Sequence, residues 1–287
     1  MLEADVGMEI LEKAGDALLA IKEKRPLIHH ITNYVTMNDC ANIVLAVGGS
    51  PIMANDPAEV EEVTSAASAL VLNMGTPNAI NLESMIAAGK VANEKKVPVV
   101  FDPVGAGLTS FRRAISSKIL DHIKPDVIRG NMAEIMYLSG LNGCSKGVDF
   151  QAADGNGIGI AKNLAKGLGC IVALTGKEDV VTDGRAVYLI NNGTEALSRV
   201  TGTGCMTSSL VGIFCSVTRD YLLAAAAGVM SMGIAGQLAF AALSAGEGIG
   251  TFKIKLFDNI YHLGSETFLT YGDLQVSGRI PGNQRTN

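Results

Sequence analysis

The chain lacks any C-x-x-C spacing among its five cysteines, Cys40, Cys144, Cys170, Cys205 and Cys215. An odd count without that spacing builds neither a disulfide framework nor a thiolate zinc site, and it fits a reducing, cytoplasmic setting. Lysine and arginine form no cluster, and the net charge is −5. A nucleic-acid binder needs a basic stripe, so small-molecule chemistry is the expectation. The start is not expected to be a leader either. The start, "MLEADVGMEILEKAGDALLAIKEKR", is acidic and patterned as an amphipathic helix, with no apolar centre. No linker rich in Pro, Gly or Ser divides the 287 residues, and no repeat recurs. One domain spanning 1–287 is therefore predicted, with about 272–287 as a polar tail whose end, 276–287, frays.

Two familiar nucleotide signatures are absent. "ALTGKED" has no glycine at the earlier position of a P-loop, and no Ser or Thr follows Lys177. "DGNGIGIA" has close-set glycines but follows a polar stretch rather than a strand, which argues against a dinucleotide fingerprint.

Hydrophobic residues make up 48% of the chain and charged ones 18%, enough for a sizeable core. Tyr221 to Ser244 carries no charge and is long enough to span a bilayer. It is rich in Ala and Gly rather than in the residues that drive insertion, so a buried helix is predicted and no membrane partner is expected. Elsewhere, short apolar runs ("PLIHHIT", "SPIMA", "ALVLNMG", "VPVVFDPVG", "PDVIRG", "CIVALTG") alternate with helical patterns. "EDVVTDGRAVYLINN" reads as a hairpin, and the chain is mainly helical after about Met206. This alternation predicts an α/β fold with a mostly parallel central sheet covered by helices on both faces.

Ligands of such sheets gather at the carboxyl ends of the strands. Several apolar runs end there in polar residues: Asn73 before Met74 and Gly75, Asp102 before Pro103, Arg129 before Asn131, and Thr175. Asp102 is suited either to a metal bound to phosphates or to a simple turn. Asn131 and Glu134 form a capping pair, and Glu134 could also reach a metal through water. Arg129, at the end of an apolar run, needs an anionic partner, either phosphate or a carboxylate such as Glu134. His29 and His30 face opposite ways on a strand and so do not make a paired metal site. The segment "TGTGC", Thr201 to Cys205, leads into a helix; its N–H groups can form an anion-binding nest, or simply a capped turn.

Taken together, "TGTGC", "FDPVGAG", "RGNMAEI", "ALTGKEDVVTDG" and "HHITNYVTMNDCANIVLAVGGSPIMA" resemble the hydroxyethylthiazole kinases of the ribokinase-like superfamily. The likeness runs in consistent order from about Pro26 to Leu263. It implies a three-layer ribokinase-like fold. It also implies transfer of the ATP γ-phosphoryl group to the primary alcohol of 4-methyl-5-(2-hydroxyethyl)thiazole, with Mg²⁺, in thiamine salvage. By motif, Met53 and Gly202 would contact the thiazole, with Asn33 nearby, and Arg129 and Thr175 would bind ATP. Asp102 and Glu134 would help hold magnesium, and Gly202, Thr203, Gly204 and Cys205 would form the transfer turn. Family members are homotrimers with sites between subunits, so Met53 would serve a neighbour's site.

The chain departs from the commoner family pattern at Thr203 and in the tail after about Tyr271. Thr203 stands where many members carry Ala, and its side chain is expected to matter little. Cys205 stands where related sugar and vitamin kinases carry an Asp base. A thiol with an ordinary pKa of ~8.5 is a weak base at neutral pH. A helix N-terminus would lower that value and bound ATP would push it back up, while the loose transition state of phosphoryl transfer demands little of a base. Cys205 is therefore expected to assist only weakly and to shape the thiazole pocket. The alternatives are a hydroxymethylpyrimidine or pyridoxal kinase, a nucleotide-hydrate dehydratase on the same fold, and a non-catalytic nucleotide binder. The absent Asp disfavours the first two.

Overall fold

Strands that are apolar at nearly every position need cover on both faces, and the segments between them supply it. The computed structural model describes residues 2–141 and 157–277. Its strands are β1 (Leu27–Ile31), β2 (Ser50–Ile52), β3 (Ala69–Asn73), β4 (Val99–Asp102), β5 (Val127–Asn131), β6 (Ile171–Thr175), β7 (Asp179–Thr182), β8 (Val187–Ile190) and β9 (Leu274–Ser277). They form one sheet in the order β2-β1-β3-β4-β5-β6-β7-β8-β9. The first six pair in parallel, and the last three run antiparallel.

The helices are α1 (Leu2–Lys24), α2 (Met37–Val47), α3 (Val60–Ala66), α4 (Ala79–Lys95), α5 (Ser110–His122), α6 (Met132–Leu141), α7 (Gly157–Leu168), α8 (Thr203–Cys215), α9 (Tyr221–Ala241), α10 (Ile249–His262) and α11 (Ser265–Tyr271). Successive strand residues point to opposite faces, and this alternation splits the core into two clusters. Val71, Val100, Val127 and Ala173 pack with α1, α2, α8, α9 and α10. Leu70, Phe101, Ile128 and Val172 pack with α4, α5, α6 and α7. The expected three-layer α/β arrangement is what the chain forms.

The charge-free segment lies where burial requires it. Over α9, 89% of the most apolar window is buried inside the protein, although its length and hydropathy would suit a membrane. Glycine lets it approach α8 closely: a Cβ on Gly228 would come within 2.6 Å of the Val211 backbone nitrogen.

The polar tail needs correction at its start. Residues 274–277 form β9 and pair antiparallel with β8, so 276 and 277, expected to fray, are part of the sheet. Leu274 and Val276 put the apolar side of a period-two pattern onto the α1 layer. The remainder of that tail, 278–287, lies outside the described residues, as do Cys144 and the polar lead-in 151–156.

Candidate functional site

Because β1, β3, β4, β5 and β6 run parallel, their carboxyl ends share one edge of the sheet. Register sets Asn73 beside Asp102 and Asn131 beside Thr175. Asn33 follows β1 at the same edge, and Asn33, Asn73 and Asp102 are all buried. Burying polar groups at the ends of apolar strands is costly unless each finds a partner. Here they partner one another. Asn33 Nδ2 donates to Asn73 Oδ1 at 2.9 Å, and Asn73 Nδ2 donates to Asp102 Oδ2 at 2.8 Å. Ser208 Oγ, from α8, donates to the same Asp102 oxygen at 2.7 Å.

The glycine turn meets this cluster from above. Gly202 is the N-cap of α8 with φ +92°, a left-handed conformation that favours glycine. A Cβ there would also lie 2.7 Å from Thr36 Cγ2. Thr203 does more than its expected bystander part. Its hydroxyl lies 3.0 Å from the Leu197 carbonyl and 3.3 Å from that of Val200, tying the turn to the preceding 3-10 helix, Glu195–Arg199. Gly204 lies against Arg129, and a Cβ at this position would stand 2.6 Å from Arg129 Nη1.

Cys205, in the first turn of α8, accepts from Asn73 Nδ2 at 3.2 Å and from Asn33 Nδ2 at 3.4 Å. Burial pushes its thiol pKa up, and the charge of Asp102 adds to the rise; hydrogen bonds from Thr36, Asn73 and Asn33 pull the other way. The lowering expected from the helix N-terminus does not prevail. Cys205 carries its proton at neutral pH.

Burial also drives the Asp102 carboxyl up, to about 6, against the pull of Arg129, Ser208 and Asn73. Arg129 finds its carboxylate in Asp102, at 4.0 Å, rather than in Glu134. Its Nη2 donates to Thr175 Oγ1 at 2.6 Å, which joins the two residues expected to bind ATP. Glu134 is a capping residue, as read from the sequence: Asn131 N–H donates to Oε2, and Glu134 N–H donates to Asn131 Oδ1. Its other oxygen accepts from Gly105 N–H at 2.9 Å, bridging the turns after β4 and β5. Met53 is not part of this cluster. It follows β2, the outermost strand, with β1 between it and β3.

His29 and His30 are buried on opposite sides of β1. His29 bonds Thr64 and the Ala54 carbonyl, while His30 bonds Ser209 and the Ile28 carbonyl. Burial lowers both pKa values, His30 to about 4. They are neutral core residues.

Three contributors lie beyond the residues given a role from the sequence. Asn73, read there only as a polar strand end, and Ser208 are described above. The third is Arg112, on α5, whose guanidinium donates to the carbonyls of Met74 (3.0 Å), Gly75 (2.7 Å) and Val104 (2.7 Å). It staples the loop after β3 to the loop after β4. Arg112→Met is expected to cost about 2–4 kcal/mol of stability, since partly buried carbonyls lose charged donors. It should also slow turnover about tenfold by loosening both loops. Thermal unfolding and steady-state kinetics check both effects.

Among the described residues, no group of three or more His, Cys, Asp or Glu side chains could hold a metal by itself. The donors present suit magnesium, which keeps its waters and takes one or two carboxylates plus phosphate oxygens. Asp102 Oδ1 is buried and has no hydrogen-bond partner, while Oδ2 carries the protein contacts. Such an oxygen needs a cation or a donor beside it. Arg129 Nε is similarly without a partner, consistent with a place for an anion.

The model of the hydroxyethylthiazole kinase family matches residues 18–266. A hydroxyethylthiazole kinase of Clostridium beijerinckii is 52% identical over 263 residues, covering 90% of this chain and 95% of the relative. The structure of hydroxyethylthiazole kinase protein from Pyrococcus horikoshii superposes with a TM-score of 0.83 at 39% identity, covering 92% of this chain and 98% of the other. A ribokinase-like superfamily protein from Enterococcus faecalis shares the fold, with a TM-score of 0.62 at 10% identity, covering 90% and 95%. With a family match over most of its length and a polar cluster at the sheet edge where the motifs converge, the chain belongs to the hydroxyethylthiazole kinase family.

Proposed function

We propose that this chain transfers the γ-phosphoryl group of ATP, in line, to the primary alcohol of 4-methyl-5-(2-hydroxyethyl)thiazole, with magnesium, in thiamine salvage. The observation that carries the reading is the convergence of Asp102, Arg129 and the Gly202–Cys205 turn at one sheet edge. Arg129 and Thr175 hold the nucleotide phosphates, and the N–H groups at the start of α8 donate to the oxygens of the transferring group. Asp102 contributes the free Oδ1, and Glu134 acts through water, as its two oxygens already accept backbone N–H groups. Magnesium, when bound, neutralises charge on the phosphate oxygens. Gly202 and Asn33 line the thiazole side, and Met53 reaches a neighbouring subunit's site in a homotrimer. The chain works as a single domain in the cytoplasm.

Cys205 then has a limited part. A proton-bearing thiol is a poor base, but a loose transition state puts little demand on one. Cys205→Ala is expected to slow turnover by no more than ~10²-fold, the low end for loss of a general base. A folded variant with no activity at all would overturn that role.

The reading is tested by ADP release in a coupled assay with Mg²⁺, comparing the thiazole alcohol with pyrimidine and pyridoxal alcohols. Release that depends on the thiazole supports it. Release that depends only on another alcohol, or on none, refutes the substrate assignment.

A further inference from the structure

Asn73 ends β3 and is only 2% exposed. Its amide makes four hydrogen bonds. Nδ2 donates to Asp102 Oδ2 (2.8 Å) and Cys205 Sγ (3.2 Å); Oδ1 accepts from Asn33 Nδ2 (2.9 Å) and Gly75 N–H (2.9 Å). An asparagine amide offers two N–H groups and one oxygen with two lone pairs, so the group is saturated. Its orientation is also settled by its partners. The Gly75 N–H can only donate and an ionised Asp102 can only accept, so a flipped amide would oppose both.

Asn33 is locked in the same way. Its Oδ1 accepts from the backbone N–H groups of Val35 and Thr36, both at 3.0 Å. A directed run of donors therefore passes from the backbone just before α2, through Asn33 and Asn73, to Asp102. Each amide gives its remaining N–H to Cys205. Hydrogen bonds in such a run polarise one another.

We propose that Asn73 is a positioning residue for phosphoryl transfer. Its amide holds the Asp102 carboxylate and the Cys205 sulfur in fixed relation, so that Oδ2 takes the protein's donors and Oδ1 remains for the reacting groups. The inference rests on the kinase reading above. Its force comes from geometry: a misplacement of about 1 Å at a reacting centre costs on the order of 10² in rate. Ser208 assists from α8 by donating to the same Asp102 oxygen.

The test compares wild type with Asn73→Ser and Asn73→Asp in the full-length chain. Turnover is measured per folded molecule, together with the calorimetric affinity for Mg²⁺ plus a non-hydrolysable ATP analogue. Asn73→Asp keeps the shape and both acceptor bonds but loses the donors; Asn73→Ser avoids a second carboxylate beside Asp102 should that variant fail to fold. The expected result is a kcat lower by ~10²-fold with KM for the alcohol within about threefold. Affinity for the metal–nucleotide pair should weaken severalfold, and adding Ser208→Ala should give less than the product of the separate losses. A merely structural role predicts a lower melting temperature with kcat per folded molecule within threefold of wild type, and that result overturns the inference. So does a loss confined to KM for the alcohol. Absence of thiazole-dependent turnover in wild type instead removes the kinase reading on which the inference rests.

Discussion

Asp102→Asn is expected to make the ligand-free protein more stable at pH 7.5 while cutting turnover at least ~10³-fold. The two effects share a cause. The Asp102 carboxyl is fully buried, and burial raises its pKa from 3.8 to about 6. A carboxyl raised on folding favours the native state below its unfolded value, and that contribution is lost as pH climbs through about 6. At neutral pH the protein therefore holds a buried charge at a cost. At 1.36 kcal/mol per pH unit the cost is up to ~3 kcal/mol. The amide keeps an oxygen to accept from Asn73 and Ser208, but it leaves Arg129 less well balanced. A net gain of about 1–3 kcal/mol follows, roughly 2–4 °C in melting temperature per kcal/mol for a chain of this size. The gain should shrink as pH falls from 6 and vanish below about 4. Thermal unfolding across that range checks the sign, and a variant less stable than wild type at neutral pH would contradict it. The loss of turnover reflects removal of the charged group that serves the metal and the transferring phosphoryl. Function here is held at the expense of stability, as at many active sites.

The second large effect comes from a single methyl group. In Gly204→Ala the new Cβ would stand 2.6 Å from Arg129 Nη1 and 3.2 Å from Nη2. Both belong to the end of a flexible side chain, so the fold tolerates the change and Arg129 moves. Its 2.6 Å bond to Thr175 and its approach to Asp102 are then lost. Turnover should fall by ~10²–10³-fold, the cost of displacing one stabilising group from a developing charge. KM for ATP should rise with it. Unchanged kinetics in the folded variant would show that Arg129 does not act at the glycine turn.

Much of this arrangement was readable from residue order alone. Asp102, Arg129 and Thr175 stood out because each closes an apolar run, and parallel strands bring such ends to one edge. The Asn131–Glu134 cap was legible from its three-residue spacing, and α9 from its small, charge-free residues. The missing parts are those fixed by tertiary register. Nothing local says that Ser208 meets Asp102, which lies 106 positions away, or that Arg112 reaches back 38 positions to Met74. Asn73 was visible as a strand end, but its four partners depend on how β3 pairs with β4 and where α8 lands. The weak basicity expected of Cys205 agrees with its raised pKa, but the cause of the rise was not local. Helix position is local, whereas the burial that outweighs it is a property of the assembled site. β9 was missed because its two apolar residues, Leu274 and Val276, lie within an otherwise polar stretch.

The central claim is phosphoryl transfer to the thiazole alcohol, and isotope tracing tests it most directly. ATP labelled with ¹⁸O at the γ-phosphoryl group, incubated with the protein, Mg²⁺ and hydroxyethylthiazole, should yield a thiazole phosphate ester that carries the label by mass spectrometry. Label recovered only as inorganic phosphate, with the alcohol unchanged, would contradict the account and leave the strand-end cluster as a site of ATP hydrolysis.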